Sequence, residues 1–239
     1  MWGTALTAGL AAMTVMAALA VVPAAGGATA PTVDHMVVSP SGRATVKRVS
    51  TRGLSVRVGR RRCAVPSGTA LAALFRSRPG RIRLRDYGSC SRRPRDAAGL
   101  FVYAIGPDRN RGHSGWVYKV GRRAATAGAA DPSGPFGSGR LRPRQRVLWF
   151  YCLRAGDCQR TLAVRPRPEG PGAVGVRVVG YDDAGSAVAV AGATVRLGGF
   201  SALTDGSGRA RFDVAPGRYR VFAAKRGMVS SFPERVVVR

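Results

Sequence analysis

The chain has 239 residues, enough for one or two domains of ordinary size, and 45% of them are apolar, so it can form a packed core. It carries 39 Lys and Arg against 12 Asp and Glu, a formal net charge of +27, with two His and four Cys. This composition argues against a disordered polar chain, a His-rich metal site and a hydrolase with paired carboxylates, and no segment has a catalytic signature. We therefore expect a non-enzymatic protein without a cofactor.

The excess of positive charge has two explanations that the sequence leaves open. Arg outnumbers Lys by 36 to 3, and Ala, Gly, Val and Pro are abundant, which is the bias expected of a GC-rich coding genome. The shortage of acidic residues is harder to explain by codon usage and favours a real affinity for anionic polymers or lipid. Nucleic-acid binders usually mix Lys with Arg on one face, so we do not expect nucleic acid to be the partner.

The N-terminal segment predicts export. No charged side chain precedes Asp34, the run from Leu6 to Val22 is mostly apolar, and small residues follow it. This pattern is typical of a signal peptide, which we place at residues 1–30, and it predicts a secreted or cell-surface protein. Because no Lys or Arg precedes the apolar run, an uncleaved membrane anchor stays the alternative, and contact with a membrane is expected only in that case.

The first predicted domain, residues 31–164, contains short strands around one helix. Ser67 is a candidate N-cap for a helix over residues 68–75, whose larger apolar residues form one stripe. Alternating or continuous apolar runs predict strands at residues 54–58, 81–85, 99–105, 115–120, 146–152 and 161–164. This order of elements predicts an α+β domain that is mainly β.

The four cysteines agree with export, since an even number in a secreted chain predicts disulfides. Four cysteines allow three pairings. Cys152 and Cys158 enclose a short loop with Gly-Asp at its turn, and local pairing there leaves Cys63 to bond with Cys90. A zinc site is the rival interpretation, but the spacings lack the closely paired cysteines of structural zinc sites. We therefore predict two disulfides and no bound metal.

A Pro-rich segment, residues 165–172, is predicted to link this domain to a second one and to be open to proteolysis. Three prolines fall within eight residues, and all four Cys precede it. The net charge also divides there, at +22 for residues 31–171 and +5 for residues 172–239. In the second domain, residues 173–239, short alternating strands lie between Gly and Asp turns and predict a small β-sandwich.

The first domain resembles the transcobalamin C-terminal-like family of bacterial extracellular domains. The resemblance covers roughly residues 53–152 and rests on the helix, on the Gly-Trp-Val-Tyr-Lys-Val segment at 115–120 and on the aromatic strand that ends near Tyr151. The segments around the cysteines look like a disulfide-bearing actinobacterial branch. The resemblance implies a β-grasp-like fold, although Gly121 replaces an Asn of the family pattern. The helical barrel that completes the cobalamin site of transcobalamin is missing, so cobalamin binding does not carry over.

The second domain resembles carboxypeptidase regulatory-like domains. Their pattern combines a Gly-Ala turn, a Thr-Asp pair followed by Gly, and Pro-Gly before an aromatic strand. Gly192-Ala193, Thr204-Asp205 and Pro216-Gly217 match it in order, over nearly all of the domain. The resemblance implies a β-sandwich that acts as an accessory, non-catalytic module.

Two pairs of aromatic residues are the candidate ligand-binding residues. Trp116 and Tyr118, and likewise Trp149 and Tyr151, lie two positions apart, so each pair projects from one face of its strand. Neighbouring strands would bring the four rings into one patch. A buried core is the ordinary explanation for such a patch, and a platform that stacks a glycan or a planar ligand is the alternative. His35, close to the export segment, is expected to be exposed to solvent.

Taken together, these features predict an exported, non-enzymatic protein of a GC-rich Gram-positive bacterium, with two β-rich domains that serve as a binding or structural module of the cell surface. Anionic envelope polymers are the expected partners, with the basic first domain as the contact. The alternatives are small-ligand or glycan binding through the aromatic strands, and a secreted hydrolase whose site has no recognisable motif.

Overall fold

The computed structural model describes Met1 and residues 29–239, so the predicted export segment lies almost entirely outside the described residues. The described chain is mainly β, with a single α-helix. It forms two units, each with its own sheets and its own hydrophobic core. No helix in this described part is both long and apolar enough to span a bilayer.

The two units are consecutive along the chain. The first consists of helix α1 (Ala70–Ser77), a short 3₁₀ helix (Pro94–Ala97) and strands β1 (Thr32–Val38), β2 (Ala44–Ser50), β3 (Leu54–Val58), β4 (Arg61–Val65), β5 (Ile82–Asp86), β6 (Leu100–Ile105), β7 (Asp108–Arg109), β8 (Gly115–Val120), β9 (Arg123–Ala124) and β10 (Arg146–Cys152). The second consists of β11 (Thr161–Pro168), β12 (Ala173–Tyr181), β13 (Ala187–Ala189), β14 (Thr194–Leu197), β15 (Phe200–Leu203), β16 (Arg209–Asp213), β17 (Gly217–Ala224) and β18 (Glu234–Val238).

The first unit is mainly β with one helix, as the sequence predicts, and its main sheet has a β-grasp-like strand order. Its main sheet has the strand order β2-β1-β10-β8-β9, in which β1 and β10 are parallel and the other neighbours are antiparallel. A parallel pair needs a crossover connection, and α1 lies within that crossover. The helix packs against β1, β2 and β10, and its buried residues, including Leu71 and Leu74, join the core on that face of the sheet.

Helix α1 begins two residues later than the sequence predicts, because Thr69 rather than Ser67 is its N-cap. Thr69 Oγ1 accepts a hydrogen bond from the Ala72 amide at 3.2 Å and donates one to the Pro66 carbonyl at 2.8 Å. The Thr69 side chain is also buried. One residue thus caps the helix and packs in the core, which fixes where the helix begins.

Both predicted disulfides are present. Cys63 on β4 is bonded to Cys90, and Cys152 at the end of β10 is bonded to Cys158. The first bond spans 27 residues and ties the hairpin of β3 and β4 to the segment after β5, within the core of the first unit. Within residues 29–239, no group of three His, Cys, Asp or Glu side chains is arranged to hold a metal ion.

The second unit is a β-sandwich. In one sheet β12 pairs with β11 along one edge, and with both β13 and β16 along the other. The facing sheet has the order β15-β14-β17-β18. Alternate residues of both sheets point inward and form the core, among them Val174, Val176, Val195, Leu197 and Val221. The period-two pattern leaves polar and charged residues on the outer faces.

Half of the predicted linker, residues 165–168, forms part of a β-strand. These residues belong to β11, which pairs with β12 from Thr161 opposite Tyr181 to Pro168 opposite Val174. Proline lacks a backbone N–H, but β11 is an edge strand, where an unpaired outer side tolerates proline. The second unit therefore begins with β11, and residues 161–164 belong to it rather than to the first domain.

The two units are docked on each other. The face of the main sheet opposite α1 carries an apolar cluster that includes a residue of the second unit. The cluster consists of Met36, Val38, Leu148, Phe150 and Cys152 from the first unit with Val229 from the second. Ion pairs join Lys119 to Asp183 and Arg146 to Glu234 across the same interface. The main sheet is thus covered by α1 on one face and by the second unit on the other.

Candidate functional site

Strands β8 and β10 place the four predicted aromatic residues side by side. In their antiparallel register, Tyr118 lies opposite Trp149 and Trp116 lies opposite Tyr151. The rings of Tyr118 and Trp149 are stacked with centroids 5.1 Å apart, and those of Trp116 and Tyr151 meet edge to face at 5.7 Å. The structure therefore brings together all four residues that the sequence singles out.

The two tryptophans are core residues rather than parts of a surface platform. Trp116 is 4% exposed and Trp149 is 2% exposed, and both belong to the core on the helix side of the sheet. Tyr118 and Tyr151 are partly buried beside them, and each hydroxyl donates to a main-chain carbonyl at 2.8 Å. A sugar cannot stack on tryptophan rings that are buried in this way, so the geometry does not support a glycan platform.

A pocket of about 490 Å³ opens beside β8. It is lined from both faces of that strand, by Trp116 and Tyr118 on one face and by Val117 and Lys119 on the other, so it bends around the strand edge. The two-residue strand β9 pairs with this edge only at Lys119 and Val120. Small and apolar residues make up much of the remaining wall, among them Gly99, Leu100, Phe101, Ala125, Ala127 and Gly128.

The indole N–H groups of the two tryptophans differ in their hydrogen bonding. Trp116 Nε1 donates to the Asp108 carbonyl at 2.9 Å. Trp149 Nε1 is buried and meets no acceptor among the described residues, and Trp149 also lines the pocket. Buried donors are nearly always paired, so this unpaired N–H is an exception, and it is closed to solvent as well as to the pocket.

The phenol of Tyr118 is held in its neutral form. Burial raises the pKa of Tyr118 well above the usual value of 10, and the Asp131 carboxylate raises it further. The hydroxyl therefore acts as a donor to the Ala127 carbonyl. This bond ties the small-residue wall of the pocket to β8.

Lys119 is the buried charged group at the pocket. Its side chain is 1% exposed, and its ammonium lies 3.0 Å from Asp183 Oδ1. It also donates to the carbonyls of Asp182 at 2.8 Å and Tyr181 at 3.3 Å. Burial lowers the pKa of Lys119, while the hydrogen bond and charge of Asp183 oppose that shift. Two hydrogen bonds to carbonyls and an ion pair with Asp183 therefore engage this side chain in joining the two units.

The outer face of the sheet formed by β11, β12 and β16 carries a feature that the sequence analysis missed. Exposed arginines lie there in two rows that cross the three strands. The first row is Arg165, Arg177 and Arg209, and the second is Arg167 and Arg211 on either side of Gly175. These five residues, named the arginine face, line a cleft of about 450 Å³. The rows arise from the pairing register of β12 with β11 and β16, and a local sequence pattern does not predict that register.

Carboxylates neutralise only part of the arginine face. Arg211 lies 3.5 Å from Glu169. Across the described residues, Arg167, Arg177 and Arg209 have no carboxylate oxygen within 4.0 Å. These three guanidinium groups are therefore outside close ion pairs, although Asp205, which also lines the cleft, interacts with the charge of Arg209.

His35, which the sequence predicts to be exposed, is fully buried. It lies on β1 between Val33 and Val37, two residues of the core on the helix side. Within the described part of the chain, neither of its ring nitrogens has a hydrogen-bond partner. Burial lowers the pKa of His35 to about 3, with a smaller effect from Lys47 opposite it on β2. The prediction was wrong because the residues after the export segment form a central strand.

Comparisons with known proteins leave the family open. No family model and no curated protein matches the chain. Among solved structures, the D00-D0 domain of intimin is similar at 17% sequence identity, with 80% of this chain and 94% of that chain covered and a TM-score of 0.23. A similarity at that TM-score supports neither a fold nor a function. The resemblances to transcobalamin C-terminal-like and carboxypeptidase regulatory-like domains stay predictions, while the β-sandwich follows from the chain's own strand pairing.

Proposed function

We propose that this chain is an exported, non-enzymatic module of the cell surface that binds anionic envelope polymers through the arginine face. The observation that carries the proposal is the alignment of five exposed arginines in two cross-strand rows. Export is supported by the N-terminal sequence pattern and by the two disulfides, which persist in oxidising compartments.

The arginine rows are unfavourable for folding by themselves. Like charges directly opposite each other on neighbouring strands destabilise a sheet. Arg177 has an arginine opposite it on both sides, Arg165 on β11 and Arg209 on β16. A polyanion lying across the strands would relieve this repulsion, so the arrangement favours binding rather than stability.

The chemistry of the guanidinium group indicates the class of ligand. Its planar fork donates two parallel hydrogen bonds to a phosphate or a carboxylate. Neighbouring strands lie about 4.8 Å apart, so one row presents three positive groups within roughly 10 Å. This spacing suits an extended polymer with repeated negative charges, such as a teichoic acid or an acidic glycan.

The proposal assigns the contact to the second unit, whereas the sequence prediction assigned it to the first domain. Residues 31–171 have the larger net charge, +22, but that total includes Arg165 and Arg167 of β11. On the β3–β4 hairpin, by comparison, Arg57 and Arg62 form a single facing pair. The two assignments differ in which arginines must be removed to weaken binding.

The test compares two triple variants with the same loss of charge. One carries Arg167→Gln, Arg177→Gln and Arg209→Gln on the arginine face. The matched control carries Arg57→Gln, Arg60→Gln and Arg62→Gln on exposed positions of the first unit. Retention on purified teichoic acid, heparin and DNA is measured from about 0.01 M to about 0.15 M salt, a range over which the Debye length falls from about 30 Å to about 8 Å.

We expect the arginine-face variant to bind teichoic acid much more weakly than the control variant. The slope of log affinity against log salt should fall by about two units, since each phosphate contact contributes roughly 0.7–0.9. Equal losses in the two variants would show that only the total charge matters. Equal retention of the unmodified chain on all three polymers would likewise contradict a preference for the envelope polymer.

A further inference from the structure

We propose that the Glu169 carboxylate occupies the place on the arginine face that one anionic group of the bound polymer takes, so that binding displaces it. Glu169 is then an internal competitor that sets how strongly the face binds. The inference rests on the proposed function, because a competitor acts only if the arginine face is the contact. It is carried by the position of the Glu169 side chain over Gly175 and by its pairing with Arg211.

Gly175 leaves a gap at the centre of the second arginine row. In the register of the sheet it lies between Arg167 on β11 and Arg211 on β16. It is a strand residue whose φ is not positive, so the backbone itself would accept a side chain. The carboxylate of Glu169 is what excludes one, because a Cβ at Gly175 would overlap Oε1 of Glu169 and lie 2.5 Å from its Cδ. The Glu169 side chain therefore fills the centre of the row, with an arginine position on either side.

The Glu169 carboxylate makes only part of the contact that a polymer anion would make there. Its Oε2 accepts a hydrogen bond from the Arg211 guanidinium at 3.5 Å. Arg167, on the other side of Gly175, has no carboxylate oxygen within 4.0 Å among the described residues. Each neighbouring strand is about 4.8 Å away, which is less than the length of an arginine side chain. An anion above Gly175 is thus within reach of both arginines, and guanidinium groups bind carboxylate and phosphate alike.

Glu169 is held loosely enough to be displaced. Its side chain is 42% exposed and that of Arg211 is 64% exposed, and exposed ion pairs contribute little stability. The main chain can stay in place, because the Glu169 N–H donates to the Ala173 carbonyl at 2.9 Å in the turn between β11 and β12. Only the side chain has to rotate away. Until it does, its negative charge repels an approaching polyanion and lowers the affinity of the face.

The test compares Glu169→Gln with Asp157→Asn in the full chain. Both variants remove one negative charge, and Asp157 is an exposed residue of the Cys152–Cys158 loop in the first part of the chain. Binding is measured on poly(glycerol phosphate), which carries phosphate groups, and on polygalacturonate, which carries carboxylates. We expect Glu169→Gln to bind roughly twofold to fivefold more tightly than Asp157→Asn, the range expected from an exposed ion pair. A gain on one polymer alone would assign the place above Gly175 to that anionic group.

An NMR titration of the unmodified chain shows the displacement directly. Addition of soluble poly(glycerol phosphate) should shift the carboxyl ¹³C signal of Glu169 and leave that of Asp157 in place. Equal gains in Glu169→Gln and Asp157→Asn, or a Glu169 signal that does not move when the polymer binds, would overturn the proposal.

A second variant tests the place above Gly175 itself. Gly175→Ala puts a methyl group where the Glu169 carboxylate lies, and that flexible side chain can move aside. In this background, Glu169→Gln should add no more affinity than Asp157→Asn, and an undiminished gain would show that Glu169 acts only through the overall charge.

The two proposals fail in different ways. If the triple variant of the arginine face loses no more binding than its control, the face is not the contact and both proposals are wrong. If it loses binding but Glu169→Gln brings no gain over Asp157→Asn, only the competitor is refuted.

Discussion

Two buried polar side chains, His35 and Lys119, show how their partners determine their chemistry. Both side chains are almost fully buried, yet the ammonium of Lys119 donates to two carbonyls and is ion-paired with Asp183, whereas His35 has no hydrogen-bond partner among the described residues. Burial disfavours the charged form of each and lowers both pKa values, but Asp183 opposes this effect at Lys119. The two residues should therefore respond differently to acid and to substitution.

His35 should make the chain less stable in mild acid. Its pKa is about 3 in the folded chain against 6.5 in the unfolded chain, so between these values only the unfolded state binds the proton. The free energy of unfolding should therefore be highest above pH 6.5 and should fall, by about 1.4 kcal/mol per pH unit, as the pH drops towards 3. His35→Leu removes the titrating group and should flatten that part of the profile. Urea unfolding at several pH values measures both proteins, and parallel profiles would refute the assignment.

Lys119 should be required for stability, because its ammonium donates to two main-chain carbonyls and is ion-paired with Asp183. Lys119→Met leaves the carbonyls of Tyr181 and Asp182 and the carboxylate of Asp183 without this partner. Because Asp183 is partly exposed, we expect a loss of about 2–3 kcal/mol rather than the larger cost of a fully buried pair. Arg211→Met, which removes an exposed ion pair, is the control and should cost less than about 1 kcal/mol. Chemical unfolding that ranks the two variants equally would count against this role.

At the level of the elements, local patterns predict single strands well. Apolar patterns alone give the bounds of β3, β8 and β10 as the structure has them. Strands β3 and β8 alternate, whereas β10 is a continuous apolar run because both of its faces are covered. Strands β1 and β2 were not predicted, since the first follows the export segment and most residues of the second are exposed. The linker prediction was wrong over 165–168 because proline is excluded from central strands but tolerated in an edge strand such as β11.

The candidate site could be predicted only in part. The spacing of the aromatic residues indicates which rings share a face, and the structure places all four together. Their burial depends on the helix and the strands that cover them, and the arginine face depends on the pairing of β12 with two other strands. The pocket also depends on packing between segments distant in sequence, so no local pattern reveals it.

Because residues 165–168 belong to strand β11, they should resist proteolysis, whereas an open linker would be cut there. Limited proteolysis of the folded chain should spare residues 165–168, because they are paired with β12. A fragment of residues 161–239 should unfold cooperatively in urea. A fragment of residues 173–239 should not, since it lacks Leu162 and Val164 of the sandwich core. Circular dichroism measures both fragments, and a cooperative transition in the shorter one would show that β11 is dispensable.

For the whole molecule, the main consequence of the fold is that the two units share an interface. The connection from β10 to β11 is short and contains the Cys152–Cys158 disulfide. The apolar cluster around Phe150 and the ion pair between Arg146 and Glu234 hold the second unit against the main sheet. The arginine face should therefore keep a fixed orientation relative to the first unit.

The parallel pairing of β1 with β10 also has a mechanical consequence. The chain enters the first unit at the start of β1 and leaves it at the end of β10, so the entry and the exit lie at opposite ends of this pair. A force that pulls the entry and exit apart would act along both strands in opposite directions. The five register pairs from Asp34 and Arg146 to Val38 and Phe150 would be loaded together in shear instead of being unzipped one at a time. The first unit should therefore resist extension until these five pairs break together. Until then, the pulling force passes through the strand pair to the second unit.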